Sequence, residues 1–568
     1  MQQVYKEIGF SLNTLAEVLL YLFFLRLNVY YFLSTLELSL MLPEFLSETN
    51  PNSLGVSVCI VILTSALYYF VIYPLFFHPL AKIPGPLPCK ITKYWLIYKS
   101  WKEEKIGYVQ SLHEKYGSIV RIGPDQVDIC DASYIKDIYV ANFDKTDFFA
   151  HFLFFGVPCA FSTIEKEKHK EFRKPTNRLY TKSKICSPQV MPRVEKVIYD
   201  TLSVFHQYHN HELNIFLVFC DMAMDAVTSI SFGPAYDPLL ADPFGKGKTI
   251  CGDFSIQSSP GFWVTEMPYW LDWVVTKPVK EATKRCHDWV ERQFNAAYQK
   301  LGSTTSKGVD IVLNSYFEYD PEEDKNKQLT KLFDQTHAKS EIYDHIVAGH
   351  IGTSTILTYF FLEMASQPEV QEKLREEVMK QLNNNEPIPT NNFNPIGYSV
   401  IDDEKKLPYL HACLNENFRL FTGVGQLPRV VPPKGMLFRG SEIVPPVKIP
   451  CNSVVSMQPW SVHRVATVFP NPNKYDPQRW LEASEVQLKT MKSHLLPFGT
   501  GARMCLGQHL ATAEVKMIMA NILCRYKVQL ADDFDYEKDG AMRDFFVTVP
   551  KSEKMMLKFI PLESSTLF

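Results

Sequence analysis

Phe498-Gly-Thr-Gly-Ala-Arg-Met-Cys-Leu-Gly507, preceded by Pro497, is the stretch on which the reading of this chain turns. It sets Cys505 in a glycine-rich loop, and a helical pattern opens directly behind it near Leu506. A thiol in such a place is held as thiolate by backbone N–H groups and by the positive end of the helix dipole. Gly499, Gly501 and Gly507 let a flat cofactor come close to the backbone, and Arg503 is placed to pair with a carboxylate on it. A thiolate presented in this way suits an axial ligand to iron. The chain has 12 cysteines, but they are scattered without C-x-x-C pairs, so neither a disulfide framework nor a structural zinc site is indicated.

Outward from this loop, 568 residues that are 46% hydrophobic and 21% charged exclude a disordered chain. No Gly/Ser-rich or Pro-rich linker divides the chain after about residue 90, which predicts one large domain behind a short N-terminal module. A net charge of -3 argues against a nucleic-acid footprint spread over the surface, so the expected partners are small molecules, membranes or proteins and no nucleic acid. Helical periodicity runs through 283–301, 341–381, 407–420 and 507–526, while 118–130 and 454–462 read as strands. There is no internal repeat and no G-x-G-x-x-G, G-K-[ST], H-E-x-x-H or G-x-S-x-G, which sets aside phosphate-loop and zinc-protease chemistry.

The N-terminus predicts a membrane. Residues 54–73 carry no charge over twenty positions, long enough for a transmembrane helix. The earlier apolar stretch 15–33 holds Glu17 and Arg26, and reads as an interfacial or second membrane helix within residues 1–53. Glu37, Glu44 and Glu48 lie between the two stretches, and Lys82, Lys90 and Lys93 follow the second, so the positive-inside rule puts everything after residue 80 in the cytosol. A cleaved signal peptide is disfavoured, because the charge-free stretch starts too deep. Pro79, Pro84, Gly85, Pro86 and Pro88 predict a stiff, non-helical hinge over 74–90, ahead of a catalytic domain over 91–568.

The cysteine loop resembles that of the cytochrome P450 family, F-x-x-G-x-R-x-C-x-G, at Phe498, Gly501, Arg503, Cys505 and Gly507. Glu416-Asn-Phe-Arg419 is similar to the family's E-x-x-R, an ion pair within one helical turn. Pro477-Gln-Arg-Trp480 resembles its P-E-R-F segment, with Gln for Glu and Trp for Phe. The resemblance runs from about residue 74 to the C-terminus. It implies a mainly α fold with small β-sheets, a cytochrome P450-like haem-thiolate fold behind an N-terminal transmembrane anchor. It further implies Cys505 on the iron of haem b, a structural triad of Glu416, Arg419 and Arg479 behind the haem loop, and Arg173, Arg429 and His463 toward the haem propionates. His169 stands where the family often has Trp.

The oxygen-activation segment departs from the family's A/G-G-x-D/E-T-T/S. Ala348-Gly349-His350-Ile351-Gly352-Thr353-Ser354 puts Ile in place of the acid and Gly in place of the first Thr, and neither offers a side-chain proton. Thr353, Ser354 or His350 with ordered water are the candidates to substitute, and a glycine there widens the groove. Phe148, Phe149, Phe152, Phe154 and Phe155 fall where the family covers its distal pocket, which implies an apolar substrate. Phe262, Trp263, Met267, Tyr269, Trp270 and Trp273 fall where the family often dips into the bilayer. Lys166, Lys168, Lys170, Arg173 and Lys174 form a candidate docking face for an acidic flavoprotein.

The resemblance therefore implies an endoplasmic-reticulum monooxygenase with its catalytic domain on the cytosolic face. Its electrons would come from NADPH through NADPH–cytochrome P450 reductase, and its substrate would be a lipophilic small molecule, a terpenoid or polyketide intermediate by likeness to fungal biosynthetic members. The altered segment keeps a second reading open, a haem-thiolate isomerase, dehydratase or peroxygenase that works without reductase. A non-catalytic haem-binding scaffold is the remote third.

Overall fold

The computed structural model describes residues 51–300, 311–317, 333–383, 385–545 and 547–562. The expectation for 15–33 lies outside the described residues. The chain divides into two units, one ending at Ala81 and one beginning at Lys82.

In the first unit the helix Pro51–Leu67 continues to Phe77 in wider π-type turns that take in Pro74, which has no N–H to give to the ladder. Cys59–Phe77 is long and apolar enough to cross a membrane, and Leu63, Phe76 and Phe77 on it are exposed. The helix thus overruns the expected end at 73. The hinge needs a matching correction: Leu87–Ile91 is helical, with prolines tolerated in its first turn, so only 78–86 lack helix.

The second unit is mainly helical. Strands β1 (Ile119–Gly123) and β2 (Gln126–Ile129) pair antiparallel, so the stretch 118–130 is a hairpin rather than one strand. Five helices set the site: α1 (Lys166–Asn177), α2 (Ile215–Phe232), α3 (Gln335–Ser366), α4 (Pro408–Leu420) and α5 (Gln508–Leu523). Strands β3 (Arg429–Val430) and β4 (Val454–Ser456) complete a sheet in the order β1-β2-β4-β3. Residues 459–462, read as the end of a strand, instead form a helical turn opening at Pro459.

α3 starts where the Asp334 side chain accepts from the His337 N–H at 2.9 Å, and it stops before Pro368, which opens the next helix. That break divides the single helical pattern expected over 341–381. α2 is as apolar as a membrane span but is buried almost throughout, because it packs along α3 in the core. α5 also packs on α3. The helix after the cysteine and the long central helix therefore share one wall.

Candidate active site

A cavity of about 670 Å³ lies among α1, α3, the cysteine loop and the start of α5. Cys505 keeps accessible surface, and it borders this cavity. Its N–H donates to the Phe498 carbonyl at 2.9 Å, which closes the loop, and Phe498 packs edge-on to Phe418 of α4 at 5.2 Å. Burial pushes the thiol above its ordinary value, against the pull of the Gly507 N–H and of Arg173. The Gly507 N–H and Arg173 thus favour a thiolate without outweighing burial; a metal ion coordinated there would supply the rest.

The loop glycines divide by role. Gly507, just before α5, and Gly499 border the cavity with nothing within 4 Å of where a Cβ would sit. Gly501 has φ +74°, and a Cβ there would come within 2.3 Å of the Tyr139 carbonyl oxygen. Its lack of a side chain serves backbone packing rather than a cofactor, which corrects its expected role.

Arg173, Arg429 and Arg503 all border the cavity. Arg173 Nη1 donates to the Met504 carbonyl at 2.9 Å, which ties α1 to the cysteine loop. Arg429 lies over the Tyr139 ring at 5.2 Å. Arg503 donates to the carbonyls of Thr163 and Ile164, and its Nε is buried with no hydrogen-bond partner among the described residues. Lys145, which the sequence reading missed, joins them: buried between Phe149 and Phe161, it is held well below its usual value by burial and by Arg503 and Arg429. His169 borders the same space, pushed down to about 2 by burial and these cations.

His463 does not join them. Its Nδ1 donates to the Arg419 carbonyl at 3.1 Å and its Nε2 accepts from the Leu496 N–H at 2.8 Å. Fully buried and with both ring nitrogens used, it fastens the end of α4 to the start of the cysteine loop. The expected propionate contact is corrected to a structural one.

Glu416, Arg419 and Arg479 come together as implied. Arg419 meets Glu416 in a two-pronged pair at 2.8 and 2.9 Å, and Arg479 Nε donates to Glu416 Oε1 at 3.1 Å. The Asp476 N–H and the Trp480 indole N–H each add a bond at 2.9 Å. The replacement of Phe by Trp thus supplies a donor. Four groups satisfy one buried carboxylate, the condition under which such an ion pair is stable.

On α3 the three candidates separate. Ser354 bonds back to the Ile351 carbonyl at 3.1 Å and is not on the cavity wall, which removes it from the oxygen side. His350 borders the cavity, but its Nδ1 donates to the Ile346 carbonyl at 2.8 Å, and burial lowers its pKa to about 4, so it is neutral. Thr353 borders the cavity beside Gly352, where no atom lies within 4 Å of a hypothetical Cβ; Glu514 of α5 borders the same cavity, its carboxyl raised to about 8 by burial against the pull of Thr353. Glu514 was also missed; no local motif marks a glutamate in an apolar helix. Of the five phenylalanines, Phe149, Phe152 and Phe154 line the cavity, whereas Phe148 borders a small neighbouring pocket and Phe155 stacks on His287 at 4.3 Å. A polar patch went unread too: on the cavity wall Ser255 donates to Glu553 at 2.7 Å, and Arg543 pairs with Glu553 at 3.1 Å.

The family model described as Cytochrome P450 matches residues 83–557. The chain belongs to the cytochrome P450 family. Among curated proteins it is 27% identical to cytochrome P450 monooxygenase BOT1 of Botryotinia fuckeliana, over 88% of this chain and 95% of that one. It is 28% identical to cytochrome P450 monooxygenase TRI4 of Fusarium sporotrichioides, over 83% and 89%. To N-acetyltryptophan 6-hydroxylase ivoC of Emericella nidulans it is 26% identical, over 84% and 91%. This P450 is accordingly a haem-thiolate monooxygenase, and its family implies haem iron with a thiolate ligand.

The residues present fit that group. Three arginines border the cavity beside Lys145, and of the carboxyls near them burial raises Asp344 to about 7 and holds Glu341 well above its usual value. Positive charge is therefore in surplus where the two haem carboxylates would lie, and the partnerless Arg503 Nε is a ready donor. The open faces of Gly499 and Gly507 leave room for a flat ring over Cys505.

Proposed function

We propose that this cytochrome P450 is anchored in the endoplasmic reticulum membrane and works on the cytosolic face. It takes electrons from NADPH–cytochrome P450 reductase and hydroxylates a lipophilic small molecule, a terpenoid or polyketide intermediate of secondary metabolism. The observation that carries the reading is that Cys505 borders a cavity whose lining surface is mostly apolar, with Phe149, Phe152, Phe154, Phe254 and Phe421 on it. Likeness to fungal cytochrome P450 monooxygenases supports the reaction class.

Bound haem supplies the activation of dioxygen. Cys505 would hold the iron; Arg173, Arg429, Arg503 and Lys145 would hold the two carboxylates of the ring. The phenylalanines exclude water and pack the substrate, and the Ser255–Glu553–Arg543 group orients its polar end. Membrane attachment is supported by the apolar helix Cys59–Phe77 and by Tyr269 and Trp273, which are 96% and 83% exposed. Reductase docking is supported by α1, where Lys166, Lys168, Lys170 and Lys174 are exposed while Arg173 of the same helix touches the cysteine loop.

The test is the carbon monoxide difference spectrum of the membrane-bound protein with a fungal reductase and NADPH, against the same sample reduced by dithionite. A thiolate-type carbonyl band with NADPH is expected, followed by incorporation of labelled oxygen into a lipophilic substrate. A band that forms only with dithionite, even when substrate is present, would replace this reading with the reductase-independent isomerase. No band under either reductant would overturn Cys505 as ligand.

A further inference from the structure

Several polar side chains on the cavity wall bond back to their own helices. Ser258 donates to the Ser255 carbonyl at 3.0 Å, Thr265 to the Gly261 carbonyl at 2.9 Å and His350 to the Ile346 carbonyl at 2.8 Å. Ser255, Arg543 and Glu553 border the same cavity but arrive from separate segments and bind one another. Ser255 lies on the helix Lys248–Ser258, and Arg543 on the strand Met542–Phe545. That strand pairs antiparallel with Val547–Pro550 and sets Arg543 opposite Val549. Alternate positions of paired strands share a face, and Arg543, Val547 and Val549 all border the cavity, so the guanidinium is a charge on an apolar face. Glu553 lies in the turn before the strand Met556–Pro561, where its N–H donates to the Pro550 carbonyl at 3.0 Å. Its φ is +53°, a backbone state that residues with a long side chain seldom take.

From that turn Glu553 Oε2 accepts from the Ser255 hydroxyl at 2.7 Å, and Oε1 faces Arg543 Nη2 at 3.1 Å. The Arg543 and Glu553 side chains keep 17% and 28% of their surface, and Ser255 is half-buried. A clasp between helix and turn needs no charges, and an ion pair beside an apolar cavity costs desolvation that apolar residues avoid. The two charges do, however, filter what enters. A carboxylate on the substrate would face Glu553, and an amine would face Arg543. A bare hydrocarbon would cover both charges without replacing the water it displaces. A hydroxyl satisfies both at once, because it donates to the carboxylate and accepts from the guanidinium, whose five N–H donors exceed what one carboxylate takes.

We propose that Ser255, Arg543 and Glu553 select a substrate that already carries a hydroxyl group on its apolar skeleton, so that this P450 works after an alcohol-forming step. The proposal rests on the monooxygenase reading and names its substrate more closely. The reaction that supplies the substrate is one that leaves an alcohol on the skeleton: hydroxylation of a hydrocarbon, capture of water by a cyclising cation, or reduction of a ketone. The anchored hydroxyl is not the group oxidised. The alcohol, one dioxygen, two electrons from NADPH and two protons give a diol and one water. Arg543 and Glu553 are thus specificity-determining residues, and Ser255 fixes the carboxylate between them.

The test measures binding, which is independent of turnover. The detergent-solubilised holoenzyme is titrated by calorimetry with matched alcohols and parent hydrocarbons on acyclic, monocyclic and bicyclic sesquiterpenoid skeletons, farnesol against farnesene first. In at least one pair the alcohol is expected to bind about tenfold tighter or more, the worth of hydrogen bonds to charged groups. The methyl ether of that alcohol, which accepts but cannot donate, is expected to fall between the two, and farnesoic acid to bind less tightly than farnesol. Glu553→Gln is expected to narrow the gap between alcohol and ether and to raise the affinity for farnesoic acid, whose carboxylate then meets Arg543 without an opposing charge. A purely structural clasp would not invert the preference in this way. Should Glu553→Gln fail to hold haem, the double variant Arg543→Met with Glu553→Leu removes both charges together, and alcohol and hydrocarbon are expected to come within about twofold of each other. Equal affinity within every pair, no measurable binding of any alcohol, or variants that keep the wild-type ratios would overturn the proposal. A wild type that prefers the alcohol but takes no electrons from reductase would support the anchor and refute the monooxygenase reading.

Discussion

Two buried glutamates mark the two faces of this site. Glu416, behind the cysteine loop, is met by Arg419, Arg479, Trp480 and the Asp476 N–H, so that both its oxygens are saturated. Glu514, on the cavity wall, has no ion-pair partner among the described residues, and burial raises its pKa to about 8. Their burial is alike, but their partners are not. Burial without a counter-charge penalises an ionised carboxylate, and paired arginines offset that penalty. The carboxylate behind the loop is surrounded by structural partners, whereas the one that faces the cavity is left without a counter-charge among the described residues.

The largest blow to this contrast comes from the loop itself. Cys505→Ala is expected to abolish the thiolate-type carbonyl band and product formation altogether, read by difference spectrum and product assay. Next, Glu416→Ala strips the counter-charge from Arg419 and Arg479, and a broken buried pair costs about 3–5 kcal/mol. Loss of soluble haem protein, or a large fall in Tm, is the expected readout; a Tm close to that of the wild type would show that the saturated carboxylate is not what stabilises this side. Trp480→Phe restores the residue usual in the family and removes one hydrogen bond to the carboxylate. A loss of about 1.5–3 kcal/mol by denaturant unfolding is expected, with both ion pairs retained.

On the cavity side the effects are smaller and fall on coupling rather than stability. Thr353→Ala is expected to raise peroxide release per NADPH about fivefold, the worth of one lost hydrogen bond, at constant substrate affinity. Unchanged coupling would mean that the hydroxyl plays no part in proton delivery. Ser354→Ala, one position on, should leave coupling unchanged, because its hydroxyl bonds back to the Ile351 carbonyl and is not on the cavity wall.

Legibility in the sequence followed distance along the chain. Phe498 to Gly507 is one continuous loop, and Glu416 and Arg419 are three positions apart on one helix, so spacing alone carries their relation. Local pattern failed where the direction of a side chain mattered. His463 in Val-His-Arg-Val looked like a cation for the cofactor, yet its ring turns to the Arg419 carbonyl and the Leu496 N–H. Thr353 and Ser354 read as equals, but adjacent residues on a helix point about 100° apart, and only Thr353 reaches the cavity. Lys145 and Glu514 had no motif at all.

The sequence by itself determined the family, the cysteine, the internal ion pair and the absence of the usual acid and hydroxyl at Ile351 and Gly352. Each is a matter of residue type at short spacing, which a linear text records. Only the tertiary structure decided that Lys145 joins three arginines at the cavity and that His463 leaves them. It alone brought Glu514 to the cavity that Thr353 borders, 161 positions away along the chain. The physical reason is that protonation and hydrogen bonding depend on what burial brings alongside a group, and those neighbours arrive from other helices.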